Sequence, residues 1–272
     1  MGIRGIELKI IIAGYGPVGQ AVKYVLEKRN GLDVFIDDPA KDYHYYRDVE
    51  FDPVDAVVVC VATPMRDDGS CNTDHVEEVF HKYGNVKYLI KSAVDPVWLC
   101  GETPNRLKGM RKSITYSPEF LGGSNIHREP TEEFENQTFA IYGGDDCRFW
   151  DELFRPVLPK LDQVKYCTLQ QASFAKYVEN TFLATKVTFF NEMYRIYNSI
   201  GFEGFDQMID AITIDPRIGR SHTQVPGPDN RYGYGGHCLP KDMAALRFLS
   251  NDTPLLDAVT DANEEYRNAH NN

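Results

Sequence analysis

The six cysteines, at positions 60, 71, 100, 147, 167 and 238, include no CxxC pair, and no neighbouring histidines complete a metal-ligand set. A structural zinc site needs such spacing, and a disulfide framework needs many cysteines in a short secreted chain. Neither is expected, and a reducing cytoplasm fits best. No apolar run reaches the roughly 18 residues that a membrane helix requires. Nothing resembles a secretory leader either, since LKIIIAGYG reads as a strand entering a glycine turn. Positive charge is scarce: 29 Lys and Arg stand against 40 Asp and Glu, a net charge of −11, which argues against a nucleic-acid surface. No internal repeat or low-complexity segment is present.

What remains is an ordinary soluble composition, 42% hydrophobic and 25% charged, in 272 residues. That length exceeds what one hydrophobic core usually serves and predicts two domains. The first opens with a predicted strand over residues 8–13, then GYGPVG (Gly14, Tyr15, Gly16, Pro17, Val18, Gly19), then a helix to about residue 28. A GxGxxG between strand and helix is a dinucleotide turn. Its first glycine makes the bend, the second admits a diphosphate, the third lets helix and strand pack closely, and the helix N-terminus faces the anion. The next strand, LDVFIDD, carries Asp37 near its end, where a carboxylate would hold the adenosine ribose and repel a 2′-phosphate. NAD is therefore expected rather than NADP.

The sheet continues. DAVVVCVATP (55–64) is an unbroken apolar run, as a strand covered on both faces should be. It ends near Thr63, at the carboxyl edge where open α/β sheets bind ligands. DDGSCNTDHVEEVF reads as a turn opening a helix, and VKYLIKSAV (86–94) as a strand with Lys91 and Ser92 at its carboxyl end. SITYSPEFLGG (113–123) places Glu119 in a loop, while TFAIYGGD and VKYCT predict two last strands. His127, Arg128 and the acidic run 132–135 read as a solvated surface loop. Residues 1–168 are thus expected to form a Rossmann-type, doubly wound parallel sheet.

From residue 170 the period changes. No Pro or Gly occurs before Gly201, and Phe174, Val178, Phe182, Val187, Phe190, Met193, Ile196 and Tyr197 recur at helical intervals. A helix this long is expected to be the spine of a small all-helical second domain, residues 169–272. Lys176 and Asn180 lie four apart and share a face. Residues 232–242, YGYGGHCLPKD, set three glycines before Cys238, with Pro240, Lys241 and Asp242 within a helical turn after it. Glycine allows close backbone approach, and Pro suits a first helical turn. At a helix N-terminus the dipole and a nearby Lys would lower a thiol's pKa, and the thiolate is the nucleophile. Lys176 and the Asn180 amide are suited to holding an oxyanion, and Asp242 to accepting a proton or orienting water.

Taken together, GYGPVG, VATP followed by DDGS, IKSAV, SPEFLGG, AKYVENTFLATKVTFFNE, DPRIG and YGYGGHCLPKD resemble the nucleotide-sugar dehydrogenases of the UDP-glucose 6-dehydrogenase and GDP-mannose 6-dehydrogenase type. The resemblance runs from about residue 8 to 266, and its last motif is the most specific. It implies oxidation of a C6 alcohol to aldehyde and then acid, with two NAD per nucleotide sugar, through a thiohemiacetal and a thioester on Cys238. It also implies that Glu119 takes part in acid–base work and that Thr63, Ser92, Lys241 and Asp37 touch NAD. Phe120, Leu121, Tyr232, Tyr234 and Gly235 would line the substrate. Arg217 would reach a neighbour's substrate across a homodimer built on the long helix.

Three departures shape the expectation. Ala93 stands where family members usually carry a Thr, and Gly123 where a second Glu is usual. Both missing groups are thought to serve the attacking water, so thioester hydrolysis is the step expected to suffer. The family's further nucleotide-covering domain would begin where this chain stops. The alternatives are a single two-electron dehydrogenase of the hydroxyacid type and a non-catalytic NAD-binding module.

Overall fold

The computed structural model describes residues 8–43, 54–100, 114–122 and 129–269. The expectations for Gly123, His127 and Arg128 fall outside them. The described residues divide into two compact units. The first takes those within Met1–Pro64, Asn72–Leu121 and Arg128–Lys176; the second takes those within Met65–Cys71, Gly122–His127 and Tyr177–Asn272.

The first unit is built on strands β1 (Leu8–Ala13), β2 (Leu32–Asp37), β3 (Ala56–Val59), β4 (Lys87–Ile90), β5 (Ile114–Tyr116), β6 (Phe139–Gly144) and β7 (Gln163–Cys167), in the order β2-β1-β3-β4-β5-β6-β7. The first five run parallel, and β7 runs parallel to β6. The expected parallel sheet needs one correction: β6 is antiparallel to β5, through Thr115–Gly144 and Tyr116–Gly143. Strand direction is set by the connection, which composition does not reveal. The unbroken apolar runs are explained by burial on both faces. Ile10 and Ile12 join one core, beneath helices α1 (Pro17–Leu26), α4 (Pro130–Glu135) and α5 (Cys147–Phe154). Ile11 joins the other, with Val76, Val79, Phe80 and Tyr83 of α2 (Asp74–Tyr83) and Leu99 of α3 (Pro96–Cys100). Ala21, Val22, Val25 and Leu26 give α1 a fully buried stripe at helical spacing.

The glycine turn follows from sterics. Gly14 has φ +92°, and a Cβ there would lie 2.6 Å from the Cys60 carbonyl oxygen; one on Gly19 would lie 2.1 Å from the Gly14 oxygen. Neither Gly14 nor Gly19 therefore accepts a side chain without moving backbone.

The second unit contains α7 (Phe205–Ile212), α8 (Cys238–Phe248), α9 (Pro254–Asn268) and the larger part of α6 (Leu169–Ser199). The unit boundary falls inside α6, after Lys176. Ala184 packs with Tyr234, Met243 and Val259, and Phe190 with Phe205, Ile209 and Val225. The apolar residues predicted for one face of α6 divide. Phe190 is buried, but Phe174, Val178 and Ile196 are each 48% exposed and Phe182 61%, with Phe189 also exposed. Among the described residues no helix is long and apolar enough to cross a membrane, and no cluster of metal-ligating side chains is found.

Candidate active site

At the carboxyl edge of the sheet the first unit gathers much of what the sequence singled out. Gly16 is the N-cap of α1 and has no side-chain cap, Pro17 starts the helix, and a Cβ on Gly16 would meet nothing within 4 Å. The residue types and the open approach at Gly16 fit a dinucleotide's diphosphate. Thr63 donates its hydroxyl to the Ala93 carbonyl at 2.7 Å, and Ser92 donates to Val61 at 2.7 Å. Both hydroxyls thus tie the end of β3 to the end of β4, leaving their oxygens only as acceptors toward a ligand.

Asp37 ends β2, as expected, and its carboxylate is paired. It is 6% exposed, and its carboxylate accepts from Lys82 Nζ at 2.7 and 2.8 Å and from Tyr83 Oη at 2.6 Å. The cause is the last turn of α2, which brings a cation and a phenol to a carboxylate that would otherwise be buried alone. The neighbouring Asp38 accepts from the Tyr15 amide at 2.7 Å and so holds the glycine turn.

Glu119 and Lys176 come together as a largely buried couple. Their charged atoms lie 3.8 Å apart, with side chains 15% and 7% exposed, and the Lys176 ammonium sits 5.1 Å from the centre of the Phe120 ring. The Leu121 amide donates to Glu119 at 2.7 Å, so the loop closes on its own carboxylate.

In the second unit, Cys238 is the exposed first residue of α8, whose N-cap, His237, makes no side-chain cap. One turn on, Asp242 is 1% exposed. It accepts from Asn180 Nδ2 at 2.5 Å and from Lys241 Nζ. Lys241, expected at NAD, pairs here with its neighbour, because a carboxylate this deeply buried needs a cation. Asn180 keeps one amide hydrogen beyond the one given to Asp242. Arg217 is 86% exposed, with its guanidinium forked onto Asp215 at 2.6 to 3.1 Å. The pairing raises the Arg217 pKa and lowers that of Asp215.

The glycine loop is cast by side chains that sequence reading missed. Asn191 of α6 accepts from the Gly233 amide at 2.9 Å. Asn263 of α9 accepts from the Tyr234 amide at 2.6 Å and donates to its carbonyl at 3.2 Å. Arg267 donates to the same carbonyl at 2.9 Å and to Asp229 at 2.6 Å. Its guanidinium lies so close to Gly235 that a Cβ there would fall 1.3 Å from Nη2. Asn263 and Arg267 are four apart, the same signal that singled out Lys176 and Asn180. Tyr234, expected to line substrate, is 4% exposed in the core, and burial raises its pKa. Tyr232 is half-buried, its ring 5.8 Å from that of Tyr194. Behind the loop lies a cavity of about 480 Å³ walled by Asn191, Tyr194, Tyr232 and Tyr266 among others, but not by Cys238, Asn180 or Asp242.

Residues 170–265 match the UDP-glucose/GDP-mannose dehydrogenase family, central domain. UDP-glucose 6-dehydrogenase of Rickettsia bellii is 30% identical over 230 residues, 79% of this chain and 50% of that protein. The Streptococcus pneumoniae UDP-glucose 6-dehydrogenase is 30% identical over 261 residues, 89% of this chain and 60% of that protein. The chain thus spans half to three-fifths of the length of these relatives. A UDP-glucose dehydrogenase structure from Pyrobaculum islandicum shares the fold with a TM-score of 0.73 at 22% identity, covering 99% of this chain and 70% of that one.

Proposed function

We propose, from the match of residues 170–265 to the UDP-glucose/GDP-mannose dehydrogenase central domain, that this chain oxidises the C6 alcohol of a nucleotide sugar to the carboxylate, with NAD as hydride acceptor. The observation that carries the reading is Cys238, exposed as the first residue of α8 with Asp242 and Asn180 bonded to each other one turn along. An exposed thiol at a helix N-terminus suits a nucleophile; a structural cysteine would be buried.

The residues take these roles. Gly14, Gly16, Pro17, Val18 and Gly19 would hold the diphosphate of two NAD molecules bound in turn, each accepting one hydride in one of the two oxidations. In the first oxidation the C6 hydroxyl gives its proton to a base, Glu119, and C6 loses a hydride to become an aldehyde. The Cys238 thiolate then adds to that aldehyde: the C–S bond forms and the carbonyl electron pair becomes an alkoxide. Lys176 and the remaining Asn180 amide hydrogen stabilise that negative charge. Loss of a second hydride from C6 gives a thioester. Water, oriented by Asp242, adds to it, the C–S bond breaks, and carboxylate and thiol are released. Ala93 offers no hydroxyl to that water, so hydrolysis is the slow step. The exposed apolar residues of α6, with Phe182 the most open of its face, suit self-association along this helix, and the outward Arg217 would reach the second protomer's substrate.

The test is NADH formation with a panel of UDP- and GDP-sugars, counted per uronate formed. Two NADH per uronate is the expected result. Two NADH per covalent adduct on Cys238, with no free uronate, would put the block at hydrolysis, and binding of NAD without turnover of any sugar would overturn the reading.

A further inference from the structure

Lys91 stands at a place where an ammonium is expensive. It follows β4 directly, is 4% exposed, and has no carboxylate within ion-pair distance among the described residues. Its Nζ donates to Ser117 Oγ at 3.0 Å and lies 5.2 and 5.8 Å from the ring centres of Phe134 and Phe154. Two aromatic faces and one hydroxyl recover only part of the hydration lost by a buried cation. The titratable groups that face it are Cys60, after β3, and Glu119, in the loop after β5; Ser117, Phe134 and Phe154 are uncharged. Burial, opposed by Cys60 and Glu119, brings the Lys91 pKa down to about 8.

Ser117 is the anchor through which this cation reaches the site. It is 1% exposed, its amide donates to the Ile90 carbonyl at 3.0 Å, and Glu119 follows two residues later. Lys91 therefore pins the start of the Ser117–Leu121 loop, and the Glu119–Leu121 hydrogen bond pins its end. We propose that Lys91 is a positioning residue: its buried ammonium, acting through Ser117, holds the loop that presents Glu119 to Lys176. The role in turnover rests on the reaction proposed above; the structural part does not. A lysine in this setting also makes the hold pH-sensitive, since the neutral amine binds the Ser117 hydroxyl less firmly than the ammonium does.

The measurement is amide hydrogen exchange at Leu121 in the wild type, Lys91→Met and Ser117→Ala. Exchange at Leu121 is expected to rise about tenfold in both variants, the effect of one weakened hydrogen bond. Unchanged protection in the folded variants would overturn the proposal, whether or not the protein turns over. Ser117→Ala removes only a hydroxyl and serves if Lys91→Met does not fold. A second arm uses linkage. A lysine whose folded pKa is lowered binds fewer protons when folded, so its unfavourable contribution is full below about pH 8 and fades as pH rises toward 10.5. Wild-type stability should thus climb relative to Lys91→Met across that window, and parallel curves would mean that Lys91 is not a buried cation. In turnover, both variants should lose kcat with little change in KM, and wild-type kcat in a reacting enzyme would overturn the role.

Discussion

Cys238→Ala is expected to abolish uronate formation while leaving dinucleotide binding unchanged. The thiol is exposed at the first residue of α8, so its loss opens no cavity and costs the fold little. The glycine loop before it is held through its backbone by Asn191, Asn263 and Arg267, a hold that does not depend on residue 238. What disappears is the atom on which the aldehyde is captured. Removal of an enzyme nucleophile typically costs at least about 10⁴-fold in turnover. The first oxidation does not need the thiol, so an aldehyde and one NADH should still form slowly. Product analysis by mass spectrometry, with NAD titration as the control, checks both halves. Uronate at the wild-type rate would remove Cys238 from the mechanism.

Lys176→Ala should slow the reaction by about 10²- to 10³-fold, the range for loss of one charged donor at an oxyanion. The lysine is nearly buried, capped by the Phe120 ring and paired with Glu119 at 3.8 Å. Truncation removes positive charge where the alkoxide develops and leaves Glu119 without that neighbour. Lys176→Arg tells charge from position: it keeps the first and shifts the second, and should recover part of the rate. Single-turnover rates with the aldehyde as substrate separate this effect from hydrolysis. A loss of less than tenfold in Lys176→Ala would make the residue structural.

The parts of the fold visible beforehand were those set by local pattern. Continuous apolar runs marked β1, β3 and β4 because both faces of each are covered, and the Gly14–Gly19 turn was legible because no side chain fits there. The direction of β6 was not legible, since a strand reads the same either way and only its pairing with β5 decides. Asp37 carried the right residue type, but its pairing with Lys82 and Tyr83 depends on where α2 ends in space. Lys91 at a strand end looks like a solvated lysine until α4 and α5 place two phenylalanines over it. Cys238, Asn180 and Asp242 were readable from spacing, and the structure adds the bond that joins the last two. The pairing of Lys241 with Asp242 was not legible, because adjacent residues on a helix are not expected to meet.

The contact between Arg267 and Gly235 makes two distant positions share one volume. The guanidinium stands where a side chain of residue 235 would be, so the loop in effect borrows its side chain from α9. Variation at either position is then conditional on the other: a side chain at 235 is admitted once Arg267 shrinks or swings away and gives up its bonds to Asp229 and the Tyr234 carbonyl. A library that randomises the loop alone would therefore meet, at Gly235, a cost that lies outside the loop.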